Sequence, residues 1–292
     1  MSNKNISQLF GILPEFIDSY NEKVEIGKEY LKDKKIAIIG LARNIEKKID
    51  NFAITFNRLR EHKGTDFKAF IYENDSTDNT PSKLEELKTD KLKGSFDYIS
   101  EINGSKHYGQ VKDTARTEQL AYYRNKCLEY AQKNFGDTDY ILVIDTDFIY
   151  VNIDGIHNTF GWISENKKIS AMCGFSYQVK KYFSTGNMVP WNYDSWAYRQ
   201  NWWSDTQEVQ TLFNTMHWYG LWCPPLGSDP IPVNSGFGGT CIYKTKDYIK
   251  TQYEGYDCEH VCFNKSLKDK VKNFQLYANP AQMMILDIQY YE

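Results

Sequence analysis

Two aspartates, Asp145 and Asp147, follow the most apolar stretch of the chain, Tyr140-Ile141-Leu142-Val143-Ile144. A buried strand that runs into paired carboxylates places them where open α/β sheets bind ligands, beyond the carboxyl ends of the strands. Strand alternation aims both side chains in a similar direction, and two close like charges are costly without a cation between them. Mg2+ and Mn2+ prefer such oxygen ligands and often bridge protein to phosphate oxygens. The same residues would also serve as turn or capping aspartates ahead of Ile149. Asp137-Thr138-Asp139 repeats the spacing but precedes the strand, and a Gly-Asp turn accounts for it.

Four further clusters could do chemistry. Glu73-Asn74-Asp75-Ser76-Thr77-Asp78 follows the apolar run Phe67–Tyr72, and its oxygens could hold a base and ribose or cap the next helix. Arg116 and Arg124, eight residues apart, share a helix face if the helix begins early enough; an arginine there would meet a diphosphate or pair with a carboxylate at the sheet edge. Asn234-Ser235-Gly236-Phe237-Gly238-Gly239-Thr240 has three glycines in four positions, suited to close backbone approach to a ligand or to a tight turn. In Tyr256-Asp257-Cys258-Glu259-His260-Val261-Cys262, the cysteines lack the partner pair of a soft-metal site. A buried Glu259 doing acid–base or electrostatic work fits better, with His260 ligating a hard metal or capping a helix. Neither GxGxxG nor GxxxxGK follows any strand, which excludes dinucleotide and P-loop sites.

The elements that must position these residues alternate. Strands are expected near 35–41, 67–72, 96–100, 140–144 and 169–175, and helices over 45–62, 82–88, 117–133 and 153–165, the rhythm of an α/β fold with a largely parallel sheet. A lysine-rich helical extension occupies residues 1–34. After Gln178 the chain is aromatic and irregular, with a possible helix over Ala197–Thr211, a strand over 239–243 and a helix over 259–268. No flexible linker is visible, so one domain is expected.

Composition narrows the classes. With 35 basic and 38 acidic residues, no global field favours nucleic acid or an anionic membrane. No run of 18 apolar residues occurs, and the opening MSNKNISQLF lacks a signal-peptide core, so the chain reads as cytoplasmic. Six cysteines without a CxxC pair do not make a disulfide scaffold. Six of the seven tryptophans fall within Trp191–Trp222, which suggests an aromatic groove, although Trp202 and Trp203 would also pack a helix onto the sheet.

Taken in order, Ile38–Asn44, Tyr72–Thr80, Arg116–Asn125, Val143–Phe148, Tyr193–Arg199, Asn234–Thr240 and Asp257–His260 resemble the nucleotide-sugar glycosyltransferases of the GT-A fold. The chain looks most like the fungal capsule-associated (alpha-1,3-)mannosyltransferases and their microbial and viral relatives. The resemblance implies a Rossmann-like, mostly parallel sheet flanked by helices, with one catalytic domain over 35–292. Residues 35–177 would bind nucleotide and metal, and 178–292 the acceptor. It implies that Ala42, Arg43, Asn44, Glu73 and Asp75 hold the nucleotide, with Asp75 near the base, and that Arg116 and Arg124 approach it. Asp145 would lie toward the ribose or donor sugar, Asp147 would bind Mn2+ or Mg2+, and His260 would be a further ligand. Gly238 and Gly239 would approach the donor sugar. Glu259 would fall where inverting members hold their general base and where some retaining members hold an acidic group. Asp194, Trp196 and Arg199 would face the acceptor, in a groove shared with Trp218 and Trp222.

The implied activity is transfer of a hexose from GDP-mannose or a UDP-sugar to a hydroxyl of a glycan or glycoconjugate. Unlike the fungal enzymes the sequence shows no membrane anchor or stem, which suits a cytoplasmic enzyme, including a viral one in its host. Two alternatives stand beside this. A sugar-phosphate nucleotidyltransferase would want a Gly-rich, basic first loop, which Gly40–Lys48 supplies poorly; a non-catalytic carbohydrate-binding protein would leave the polar strand ends without a task.

Overall fold

Strand β1 (Lys35–Ala42) has apolar residues at almost every position because it is covered on both faces. Ala37 and Ile39 enter one hydrophobic core, and Ile36 and Ile38 enter the other. Strand β4 (Tyr140–Asp145) divides in the same way, with Ile141 and Val143 against Leu142 and Ile144. The computed structural model describes residues 9–61, 66–109, 113–200 and 218–292, and all but the side chains of Trp218 and Tyr219 within them.

Among these residues the strands form one sheet in the order β3-β2-β1-β4-β9-β6-β10-β5, with β7 beside β6 and β8 beside β10. The ranges are β2 Asp66–Asn74, β3 Phe96–Glu101, β5 Tyr150–Val151, β6 Ala171–Tyr182, β7 Met188–Asn192, β8 Ile231–Val233, β9 Thr240–Lys244 and β10 Leu276–Tyr291. Strands β3, β2, β1 and β4 are parallel, as alternation with helices predicts. The parallel character does not extend across the sheet: β9 runs antiparallel to both β4 and β6. Beyond it β6 and β10 are again parallel.

Helices cover both faces. On one side lie α4 (Thr114–Asn134) and α6 (Glu259–Lys270), which contribute Ala121, Leu128, Phe263 and Leu267. On the other lie α2 (Ile49–Arg60) and α5 (Ile153–Glu165), through Phe52, Phe56, Ile156 and Phe160. A shorter helix, α3 (Thr80–Glu86), follows the polar turn after β2, with Pro81 in its first turn. The N-terminal helix α1 (Ile17–Leu31) packs on α5 and buries Tyr20, Val24 and Leu31. No helix among the described residues is long and apolar enough to cross a membrane. Residues 197–200 of the expected Ala197–Thr211 helix are not helical, since Arg199 bridges to Ser235 instead. The rest of that helix, with Trp202 and Trp203, lies outside the described residues.

Candidate active site

The carboxyl ends of β1 and β4 open into a cleft of about 280 Å3. Arg124, on α4, crosses its floor. Its side chain is 7% exposed; Nε donates to Glu259 Oε1 at 3.1 Å and Nη2 to Asp145 Oδ1 at 3.2 Å. The guanidinium also sits 4.9 Å from the centroid of the Phe237 ring. Burial opposes its charge, but Glu259 and Asp145 outweigh that and hold it firmly protonated. Burial likewise pushes the Asp145 carboxyl up, to about 7, against the opposing pull of Arg124 and with repulsion from Asp147 and Asp194.

Asp147 is exposed. Its backbone is pinned, because Lys48 Nζ donates to its carbonyl at 2.6 Å, but its carboxylate has no partner among the described residues. Two aspartates beside each other, one of them unpaired, suit a hard divalent cation whose remaining positions go to phosphate oxygens and water. The three-ligand set with His260 does not form. Among the described residues no three His, Cys, Asp or Glu side chains converge as metal ligands. His260 is instead stacked on Phe237, ring centroids 3.7 Å apart, with Nε2 3.6 Å from Glu259 Oε1. Burial, and then Arg124, push its pKa well below the usual histidine value, so the ring is neutral.

Asp113 caps α4 by accepting from the Ala115 N–H at 2.8 Å, which starts the helix three residues before Thr117 and brings Arg116 into its first turn. Arg116 lines the cleft with Arg124, and its guanidinium makes no hydrogen bond or ion pair among the described residues. Ala42 and Arg43 line the cleft at the end of β1, and Arg43 Nη2 donates to the Ser105 carbonyl at 3.1 Å. Asp194 also lines the cleft, and one of its oxygens accepts from the Gly238 N–H at 2.8 Å. Burial raises its carboxyl to about 6 although that hydrogen bond opposes it, and Glu259 adds to the rise. Trp196 is buried beside it, and its indole N–H has no partner among the described residues.

Other expected site residues do not reach the cleft. Glu73 is buried, and its carboxylate accepts from the Ser76 N–H at 2.9 Å and from the Ser100 hydroxyl, which makes it a turn-former. Asp75 accepts from the N–H groups of Asn103, Gly104 and Ser105. Partial burial opposes its ionisation, but the Asn74 side chain and those three N–H groups hold its carboxyl down at about 2. Asp75 therefore fastens the loop that carries His107 and Tyr108 to the cleft rim. Asn44 ties the same region together through Ser76 and Thr77. Gly238 and Gly239 have φ of 56° and 73°, and a Cβ on Gly238 would lie 2.0 Å from the Gly174 carbonyl oxygen, so close packing demands glycine there.

Arg199 is not free for an acceptor. It is fully buried, with Nη2 3.0 Å from both oxygens of Asp257 and Nη1 on two backbone carbonyls. Trp222 packs edge-on against Phe175 and Tyr198 in the core. The side chain of Trp218 lies outside the described residues. Of the tryptophans whose side chains are described, only Trp196 lines the cleft. Sequence reasoning missed Tyr193, Phe237 and Cys258, also in the cleft wall. Tyr193 and Phe237 lay inside segments already singled out, but an aromatic beside an aspartate or between glycines carries no spacing signal of its own.

Residues 68–275, more than two thirds of the chain, match the family described as cryptococcal mannosyltransferase 1. No curated protein sequence matches the chain. Similar solved structures include the mannosyltransferase PcManGT from Pyrobaculum calidifontis in complex with GDP-Man and Mn2+, at 12% identity and a TM-score of 0.50. That match covers 93% of this chain and 65% of the other, so this chain spans slightly less than two thirds of it. Glucosyl-3-phosphoglycerate synthase from Mycobacterium tuberculosis in complex with phosphoglyceric acid matches at 11% identity and a TM-score of 0.50, over 92% of this chain and 76% of that one. At such identities the likeness speaks for the architecture, and the sequence match speaks for the lineage. The chain belongs to the cryptococcal mannosyltransferase 1 family and carries the GT-A fold of nucleotide-sugar glycosyltransferases.

Proposed function

We propose that the chain transfers a hexose from a nucleoside-diphosphate sugar to a hydroxyl of a glycan or glycoconjugate, with GDP-mannose the first donor to try and Mn2+ or Mg2+ as cofactor. The observation that carries this is the charge arrangement of the cleft. Arg124 is neutralised by Asp145 and Glu259, while among the described residues the Asp147 carboxylate and the Arg116 guanidinium are left unpaired on the same opening. An unpaired anion and an unpaired cation together suit a metal-bound diphosphate: Asp147, with Asp145 beside it, holds the metal, and Arg116 takes phosphate oxygens. The PcManGT complex, with GDP-Man and Mn2+, supports the same ligand class.

A bound divalent ion would offset the negative charge that builds on the departing diphosphate. Arg116 and Arg43 hold that group in place, and Arg124 keeps Asp145 and Glu259 at fixed positions. The hydroxyl that attacks the anomeric carbon must give up its proton. Glu259 is the base that the resemblance implies, yet its Oε1 is already engaged by Arg124 at 3.1 Å. Asp194 faces the same cleft without a cationic partner of its own among the described residues, and burial raises its carboxyl to about 6, toward the range useful at neutral pH. Asp194 therefore takes the proton, Glu259 positions Arg124, and the Trp196 N–H is free for a sugar hydroxyl.

The test is a panel of GDP-mannose, UDP-glucose and UDP-galactose with Mn2+, read by thermal shift and by sugar transfer. One nucleotide should stabilise the protein in a metal-dependent way, and Asp147→Ala should abolish that shift. If no nucleotide sugar binds, the transferase reading fails and a glycan-binding protein takes its place.

A further inference from the structure

We propose that a second pocket, at the opposite end of the sheet from the cleft, binds a ligand carrying several phosphate groups. The pocket has a volume of about 740 Å3 and is lined by six lysines, Lys167, Lys168, Lys244, Lys246, Lys250 and Lys272, against one carboxylate, Asp247. Asp247 is already taken by Lys250 at 3.2 Å. Lys244 is anchored as well, with Nζ donating to the Lys167 carbonyl at 2.8 Å. Lys167, Lys168, Lys246 and Lys272 are exposed and make no ion pair among the described residues. In a chain with net charge −3, this is a local surplus of positive charge gathered around one concavity. Like charges held round a concave, low-dielectric wall focus their field and raise the local concentration of anions.

The position is fixed by the sheet. Lys244 pairs with Tyr140, the first residue of β4, whereas Asp145 ends that strand at the cleft. Five residues of strand separate the two sites by about 17 Å. Ser170 and Gln275, which precede β6 and β10, line the same pocket, so it opens at the amino ends of those strands. A donor in the cleft therefore leaves it vacant.

The shape selects the ligand. Phe274, the one aromatic lining residue, is buried, so no ring is free to stack on a base or enter a bilayer. Lysine ammonium groups are compact point charges suited to phosphate oxygens from several directions. A compact polyphosphate, free or as a phosphorylated lipid headgroup projecting from a membrane, matches both the charge and the volume.

Inorganic tripolyphosphate, titrated calorimetrically into the full chain in EDTA, tests the site. The triple variant K167A/K246A/K272A should bind it about tenfold more weakly, while Arg116→Ala, which alters only the cleft, should not change the affinity. Binding should also fall as salt is raised. The triple variant should keep the wild-type melting temperature, because the three side chains are exposed and make no ion pair among the described residues. Equal binding by wild type and triple variant would overturn the proposal, as would equal affinity for sulfate at matched ionic strength. Phosphatidylcholine vesicles with and without phosphatidylinositol bisphosphate then decide the source. Lysine-dependent capture by the phosphorylated vesicles assigns a lipid headgroup, and tripolyphosphate binding without vesicle capture assigns a free ligand.

Discussion

Arg116 and Arg124 lie two turns apart on α4, yet they are in opposite electrostatic situations. Arg124 is enclosed between two carboxylates; Arg116 faces the cleft without a side-chain partner among the described residues. Spacing could show that the two share a face, but the partner carboxylates come from β4 and α6, which only the fold brings together. Replacing Arg124 with Ala leaves Asp145 and Glu259 unpaired, which should cost about 3–5 kcal/mol of stability and show as a lowered melting temperature with or without donor. Replacing Arg116 with Ala should leave the melting temperature unchanged and lower kcat/KM for the donor by about 10- to 100-fold. If Arg116→Ala turns over normally, the diphosphate assignment is wrong. Asp75 gives a pH signature. Its folded carboxyl, near 2, lies below the unfolded value of about 3.9. Its contribution to stability is therefore complete above about pH 4 and is lost as pH falls toward about 2. Melting curves should show Asp75→Asn losing less stability than wild type across that interval.

At the scale of elements, β1 and β4 were legible because each is apolar at nearly every position, and β2 because its apolar run, broken only by Lys68, stops at Glu73-Asn74. The carboxylate pair after β4 was legible for the same reason. Strand β10 was not. Leu276–Tyr291 contains Asn279 and Pro280, and proline inside a run argues against a central strand. The structure accommodates it at a break in register between Ala278 and Met283, where β10 slips against β6. The Gly238–Gly239 turn shows how one element serves another. It packs against the β6 backbone at Gly174, and its N–H holds Asp194. Gly238→Ala should be destabilised by about 1–2 kcal/mol from the left-handed backbone and about 1–3 kcal/mol from the overlap. It should also release Asp194, so the pH optimum of transfer should move along with the melting temperature. A normal pH profile in a folded, active Asp194→Asn protein would separate Asp194 from the chemistry.

For the whole molecule, Trp222 and the N-terminal helix depart most from their sequence readings, whereas Trp196 lines the cleft as expected and Trp202, Trp203 and the Trp218 side chain lie outside the described residues. Trp191 and Trp222 are spent on packing: Trp191 lies against Gly220 and beneath Lys180, and Trp222 against Phe175. Aromatic density alone cannot distinguish a groove from the cover of a sheet, since both bury the same surface. The N-terminal helix, read as an extension, is fitted closely to α5. A Cβ on Gly27 would lie 1.8 Å from the His157 carbonyl oxygen, and one on Gly161 would lie 2.1 Å from that of Lys23. Asn158 Nδ2 donates to the Tyr20 carbonyl at 3.2 Å, and Lys23 pairs with Glu165 at 2.7 Å. Glycines, an amide and an ion pair matched across one interface are invisible to periodicity, because each contact joins residues more than a hundred positions apart. Tyr20, Val24 and Leu31 are buried there, and a large apolar side chain is worth about 1.5–3 kcal/mol when fully buried, against about 5–15 kcal/mol for a whole domain. Deleting residues 1–32 should therefore not leave an intact catalytic body. It should yield a protein that aggregates or melts many degrees lower, even though none of the described residues among those deleted lines the cleft. Gly27→Ala provides the graded version: a melting temperature lowered in keeping with about 1–3 kcal/mol of overlap, and donor affinity unchanged while the protein stays folded. A truncated protein with wild-type melting temperature would show that α1 is a passenger on the fold.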